Sequence, residues 1–235
     1  MIRSQESLEK QIAEWGFLPF FRCGIEGFSI QELTPEEYWF SDERPGPWEW
    51  KGPVIGNWQA AYGKFYAGKA GYVSLEWLSD FINWRRYIHP LAVLSPGAEK
   101  VYRTLVENES MLSNELKLAS GYSLSRRKKK VQGLEGYAST ADTIGDDKNG
   151  PVCDALLTQL EMSTYVCIAD FEYKQTKDGR RYGWGVARYC TPEAMYGEGI
   201  ARCERSPQES YRAMEEHLKK LFPTATRKQI SKILY

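Results

Sequence analysis

Apolar residues recur at helical spacing from the start of the chain. Leu8, Ile12 and Trp15 share one face and predict an amphipathic helix over residues 4–15, which Gly16 ends. The apolar stretch that follows is broken by Pro19, Gly24 and Gly27, after which Thr34 and Pro35 have the form of a helix cap and first helical residue. "SDERPGPWEWKGPVIGNW" carries Pro45, Pro47 and Pro53 with three tryptophans, which predicts an ordered aromatic-rich loop rather than a regular helix. "AAYGKFYAGKAGYVSLEW" reads as strand, turn ("AGKAG") and strand. Ser74 then opens a helix with Leu75, Leu78, Ile82 and Arg85/Arg86 on successive turns.

"HPLAVLSPG" interrupts the periodicity and sets a domain boundary near residue 95. Residues 1–95 form an aromatic-rich N-terminal region and residues 96–235 a second domain. The second domain opens with a helix bearing Val101, Leu105 and Val106, then a short helix over "LSNELKLAS", then a polar stretch over 123–150 that reads as an exposed loop. A third helix follows Gly150, with Val152, Ala155, Leu156 and Leu160 as its buried face and Asp154, Thr158, Gln159 and Glu161 toward solvent. Tyr165, Cys167, Ala169 and Phe171 alternate along a strand. A turn at Lys177–Gly179 returns the chain through "RRYGWGVARY". Thr191 with Pro192, Ser206 with Glu209, and Thr226 with Gln229 announce three closing helices. The sequence shows no internal repeat. Three helices followed by a hairpin give the order of a winged helix, so the expected fold class is α+β: a winged-helix C-terminal part with closing helices, joined to an aromatic-rich N-terminal α+β part.

Composition narrows the chemistry. The net charge is zero, which removes any global basic footprint for nucleic acid, but residues 1–50 hold 10 acidic and 4 basic residues and leave the basic excess to the rest of the chain. Five cysteines at 23, 153, 167, 190 and 203, with no C-x-x-C, point to reduced thiols and a cytoplasmic protein. With only His89 and His217 available, no zinc site is expected, and no cofactor. The polar N-terminus lacks the apolar core of a signal peptide, and no run approaches the ~20 apolar residues of a membrane span.

Three stretches, "QLEMSTYVCIADFEYKQTKDGRRYGWGVARYCTPEAMYG", "DERPGPWEWKGPVI" and "AYGKFYAGKAGYVSLEWLSDFINWRR", resemble a group of bacterial proteins called AlkZ-related. These are distant relatives of the AlkZ/YcaQ winged-helix DNA glycosylases, which unhook alkylated and cross-linked bases. The resemblance covers nearly the whole chain at the level of the group. Toward the glycosylases themselves it is remote and is strongest in the winged-helix part. It implies DNA as partner and DNA repair as context. The glycosylases' catalytic motif, a Gln, an apolar residue and then Asp or Gln, is missing. Gln5, Gln11, Gln31 and Gln59 each fail it at the third position, and "QLE" at Gln159 lies on the third helix and ends in Glu. No catalytic residue is carried over.

Candidate sites follow from charge and ring chemistry. Cations that would meet DNA phosphates are Arg126, Arg127, Lys128, Lys129 and Lys130 in the polar stretch, and Lys174, Lys177, Arg180 and Arg181 around the hairpin turn. Arg188 further down the hairpin and Lys219, Lys220, Arg227, Lys228 and Lys232 in the last helices add to them. The third helix offers acids and no base on its expected solvent side, which argues against groove reading and for a packing role. Trp39, Trp48 and Trp50 are candidates for base stacking or, alternatively, core plugs. Glu49, Glu32 and Gln31 are the nearby groups that would serve a glycosylase with a non-standard carboxylate. The leading expectation is a DNA-binding winged-helix protein. The alternatives are a non-catalytic protein-docking module and such a glycosylase.

Overall fold

The computed structural model describes residues 1–41, 43–122, 152–178 and 181–235. The first half runs α1 (Gln5–Trp15), β1 (Phe17–Pro19), α2 (Ile30–Leu33), α3 (Pro47–Gly56), β2 (Ala60–Tyr66) and β3 (Lys69–Ser74). Its antiparallel sheet has the order β1-β3-β2. A long helix, α4 (Leu75–Ile88), leads into α5 (Pro96–Glu107), β4 (Ser110–Leu112), α6 (Ser113–Ala119), α7 (Cys153–Met162), β5 (Cys167–Gln175) and β6 (Arg181–Cys190). The second sheet has the order β4-β6-β5. The chain closes with α8 (Pro192–Tyr196), α9 (Pro207–Leu221) and α10 (Arg227–Leu234).

The fold is mixed α+β, and one succession of elements occurs twice: helix, short strand, helix, helix and hairpin, with the short strand paired to the hairpin's second arm. The sequence hides this duplication because the corresponding helices share no residue pattern. "PWEWKGPVIG" of α3 stands where "CDALLTQLEM" of α7 stands in the second half. The strand β4, three residues long, also has no alternation to announce it.

The loop expected over residues 41–58 is overturned by α3. Pro47 takes the first helical position, where its missing N–H costs nothing, and Glu49 Oε2 accepts the Gly46 N–H at 2.9 Å. Pro53 does sit inside the helix, on its exposed side, and an interior proline costs about 3 kcal/mol. Trp50, Val54 and Ile55 are all buried, at roughly 1.5–3 kcal/mol each, so tertiary packing outweighs the local penalty. Thr34 and Pro35 do not start an α-helix; residues Glu36–Tyr38 make a single 3-10 turn. In the β2–β3 hairpin the turn is the pair Ala67 and Gly68, both at positive φ, with Tyr66 opposite Lys69.

The two halves interlock. The third helix of each half lies on the hairpin of the other: α3 packs on β5, α7 packs on β2, and β2 meets β5 between them. Tyr62 of β2 packs edge-on against Phe171 of β5 at 5.9 Å, and the Lys51 ammonium of α3 sits 4.0 Å over the same Phe171 ring. A hydrophobic core runs unbroken from Ile2 to Leu234 across both halves. At its centre lies Arg85, fully buried. Its Nη1 donates to Met162 O at 2.7 Å, and its Nη2 donates to Phe65 O at 2.9 Å and Ile233 O at 3.0 Å. Met162 and Ile233 end α7 and α10, where the carbonyls lack helical partners and carry partial negative charge.

Candidate nucleic-acid interface

The helix α7, expected as the third helix of a winged helix, has one of its faces closed by β2. Glu161, expected toward solvent, is fully buried: its Oε1 accepts the Lys64 N–H at 3.1 Å. Lys64 Nζ donates to Thr158 Oγ1 at 3.1 Å, Ser95 Oγ donates to Gln159 Oε1 at 3.3 Å, and Asp154 pairs with Lys117 Nζ at 2.8 Å. All four polar side chains assigned to a solvent face therefore meet protein groups. Ala155, expected in the buried face, is exposed instead, because the second half packs through Cys153, Leu156, Leu157 and Leu160. Burial pushes the Glu161 carboxyl up to about 7, only partly opposed by Lys64.

The β5–β6 hairpin carries its cations at the free end. β4 pairs with β6 only at Arg188, Tyr189 and Cys190, so the distal ladder is held by its own two strands. Lys174 and Lys177 are exposed there, whereas Arg188 is bonded across the ladder to Glu172 and adds little net charge. Arg181 opens β6 opposite Gln175. Arg180 and the segment Arg126–Lys130 lie outside the described residues.

The C-terminal cations have separate fates. Lys219 Nζ donates to Pro223 O and Ala225 O, and Arg227 pairs with Glu215 at 3.0 Å. Lys220 and Lys228 are exposed. Lys232 is exposed, beside Arg22 and Lys69 from two remote segments.

The aromatic candidates pack on one another. Trp39 and Trp48 stand 5.6 and 5.1 Å from Phe20 and 5.9 Å from each other, and Trp50 is buried against Tyr38 at 5.9 Å. Glu49 is spent on the start of α3. Glu32 binds Ser29 Oγ and the Gly27 N–H at 3.2 Å at the start of α2, and Gln31 Oε1 accepts the Arg22 N–H at 3.3 Å. The two central polar residues, Glu161 and Arg85, were missed as such. The signal for Arg85 was present, since it continues the Leu78 and Ile82 face of α4.

Among the described residues no group of three or more His, Cys, Asp and Glu is placed to hold a metal ion, and no helix is long and apolar enough to cross a membrane. The sequence profile of the family described as AlkZ related matches residues 2–235. No curated protein and no solved structure matches the chain.

Proposed function

The chain belongs to the AlkZ-related family, and from that premise we propose that it is a DNA-binding protein built on two winged-helix units that holds duplex DNA by its backbone rather than reading base edges. The observation that carries this reading is the interlock. Each third helix, the part that would enter a groove, is packed on the other half's hairpin, while the β5–β6 hairpin keeps Lys174 and Lys177 exposed at its end. Phosphate contact needs only an accessible cation, so the wing retains a DNA role that the helices have given up.

A glycosylase reading has less support. The family's catalytic triplet is missing, and Glu49 and Glu32 both serve as helix-start acceptors. A protein-docking role is the other outcome that an occluded α7 permits. Fluorescence anisotropy against duplex, single-stranded and alkylated duplex DNA at two salt concentrations separates the three. Backbone binding gives an affinity that falls steeply with salt, is indifferent to alkylation, and drops at least tenfold in Lys174→Glu/Lys177→Glu and in Arg180→Glu/Arg181→Glu. A preference for alkylated duplex accompanied by base release restores the glycosylase. No binding at low salt overturns the DNA reading in favour of docking.

A further inference from the structure

A second cationic site lies away from the β5–β6 hairpin. A cavity of 230 Å³ opens where the 22–24 segment, the start of β3 and the end of α10 meet, lined by Arg22, Cys23, Gly24, Lys69, Lys232 and Ile233 among others. Among the described residues no carboxylate lines it. Three chain segments separated by more than forty residues each deliver one cation to it, and each cation retains free donors. Arg22 is 74% exposed, with only its Nε facing a carboxylate, Glu32, at 3.7 Å. Lys69 Nζ donates one bond, to Arg22 O at 3.1 Å, and an ammonium has two more to give. Lys232 has no ion-pair partner among the described residues. Beneath Ile233 the buried Arg85 adds a fourth positive charge that no carboxylate bonds among the described residues.

Like charges gathered round a concavity repel one another, and a low-dielectric wall focuses their field into the opening. Solvated surface lysines relieve such repulsion by pointing apart. Here Lys69 is tied back to the Arg22 carbonyl, and α10 is anchored to the same segment by Gln229, whose Nε2 donates to Gly24 O. Lys69 and the helix bearing Lys232 are held at the opening by bonds to backbone carbonyls, and only Arg22 has an acid near it, Glu32, so an incoming anion would complete the arrangement. A fork-shaped guanidinium and two ammonium groups suit a tetrahedral oxyanion with several acceptor oxygens. The Cys23 thiol in the wall is held protonated by burial and acts only as lining.

We propose that Arg22, Lys69 and Lys232 form a phosphate-binding site at the turn end of the β2–β3 hairpin. The phosphate is either a DNA backbone group or a free phosphate, and two titrations of the full-length chain distinguish them. In the first, inorganic phosphate is followed by calorimetry against a chloride-matched control. The wild type binds at about millimolar strength, and Arg22→Gln/Lys69→Gln/Lys232→Gln loses at least tenfold. The single changes, all at accessible side chains, lose less and guard against a fold effect. In the second, duplex DNA binding is measured across salt concentrations. A backbone phosphate at the site lowers the slope of log affinity against log salt by about one in the triple variant. Loss in the phosphate titration with an unchanged DNA slope identifies free phosphate, and a reduced slope identifies DNA. Absence of both effects overturns the site. Should the wild type bind no DNA at all, the phosphate titration still decides, so failure of the DNA reading and failure of this site remain distinct.

Discussion

Lys64 donates its backbone N–H to Glu161 Oε1 at 3.1 Å, joining β2 of the first half to α7 of the second through a carboxyl group that water does not reach. The other oxygen, Oε2, has no hydrogen-bond partner among the described residues. A carboxylate in that position is stabilised by one amide and by the nearby Lys64 ammonium, while Asp154 on the same helix opposes it. The seam between the halves therefore contains a group whose charged form is disfavoured.

The sign of the resulting pH effect is fixed. Burial raises the folded-state pKa of Glu161 from 4.5 to about 7, so the folded chain binds the proton more tightly than the unfolded chain. The contribution to stability is complete below the unfolded value and is lost as pH rises from 4.5 to about 7. At 1.36 kcal/mol per pKa unit it amounts to roughly 3 kcal/mol. Glu161→Gln keeps an acceptor for Lys64 and cannot ionise. Urea unfolding at pH 5 and pH 8 should show the wild type losing stability between the two and the variant losing markedly less. Parallel losses in both proteins would place the titrating group elsewhere.

Arg85 supports a second prediction. Its guanidinium bonds the ends of α7 and α10 and the end of β2, so three carbonyls depend on one side chain. Burial brings it down to about 9, still charged at neutral pH. Arg85→Met matches the stem but leaves the carbonyls unsatisfied, at about 1–3 kcal/mol each. Chemical denaturation should show a loss of at least about 3 kcal/mol, and Arg85→Lys should recover only part of it because one ammonium cannot span the three acceptors. A loss below about 1 kcal/mol in Arg85→Met would mean that water replaces the guanidinium.

What the chain discloses without a structure divides along physical lines. The α9 capping box at Ser206 and Glu209 and the β5–β6 alternation were legible because capping and pleating depend on neighbours a few residues away. The helix α3 was not, because prolines advertise a local cost while the burial of Trp50, Val54 and Ile55 that overcomes it is decided by distant residues. Glu161 was misplaced for the same reason: viewed alone, α7 has a polar side, and only β2 turns part of that side into an interior. The family was readable from strings of residues. The trio Arg22, Lys69 and Lys232 was not, since nothing in three separated segments announces that they converge.

The backbone-binding reading makes a demand on α7 that differs from the demand a groove-reading helix would make. Ala155 is exposed near its start, and Gln159, the only side chain there suited to an adenine edge, is half-buried with its Oε1 accepting from Ser95. Ala155→Glu adds an acid in the first turn, where the helix dipole tolerates it, so the fold should be unaffected. If α7 entered a groove, the new carboxylate would face phosphate and affinity would fall by tenfold or more. If α7 is a packing helix, duplex affinity at low salt should stay within about twofold of wild type for Ala155→Glu and for Gln159→Ala, under conditions where Lys174→Glu/Lys177→Glu loses most of its binding. A large loss in Ala155→Glu with an unchanged melting temperature would show that the interlocked halves separate on DNA and that α7 is its reading helix after all.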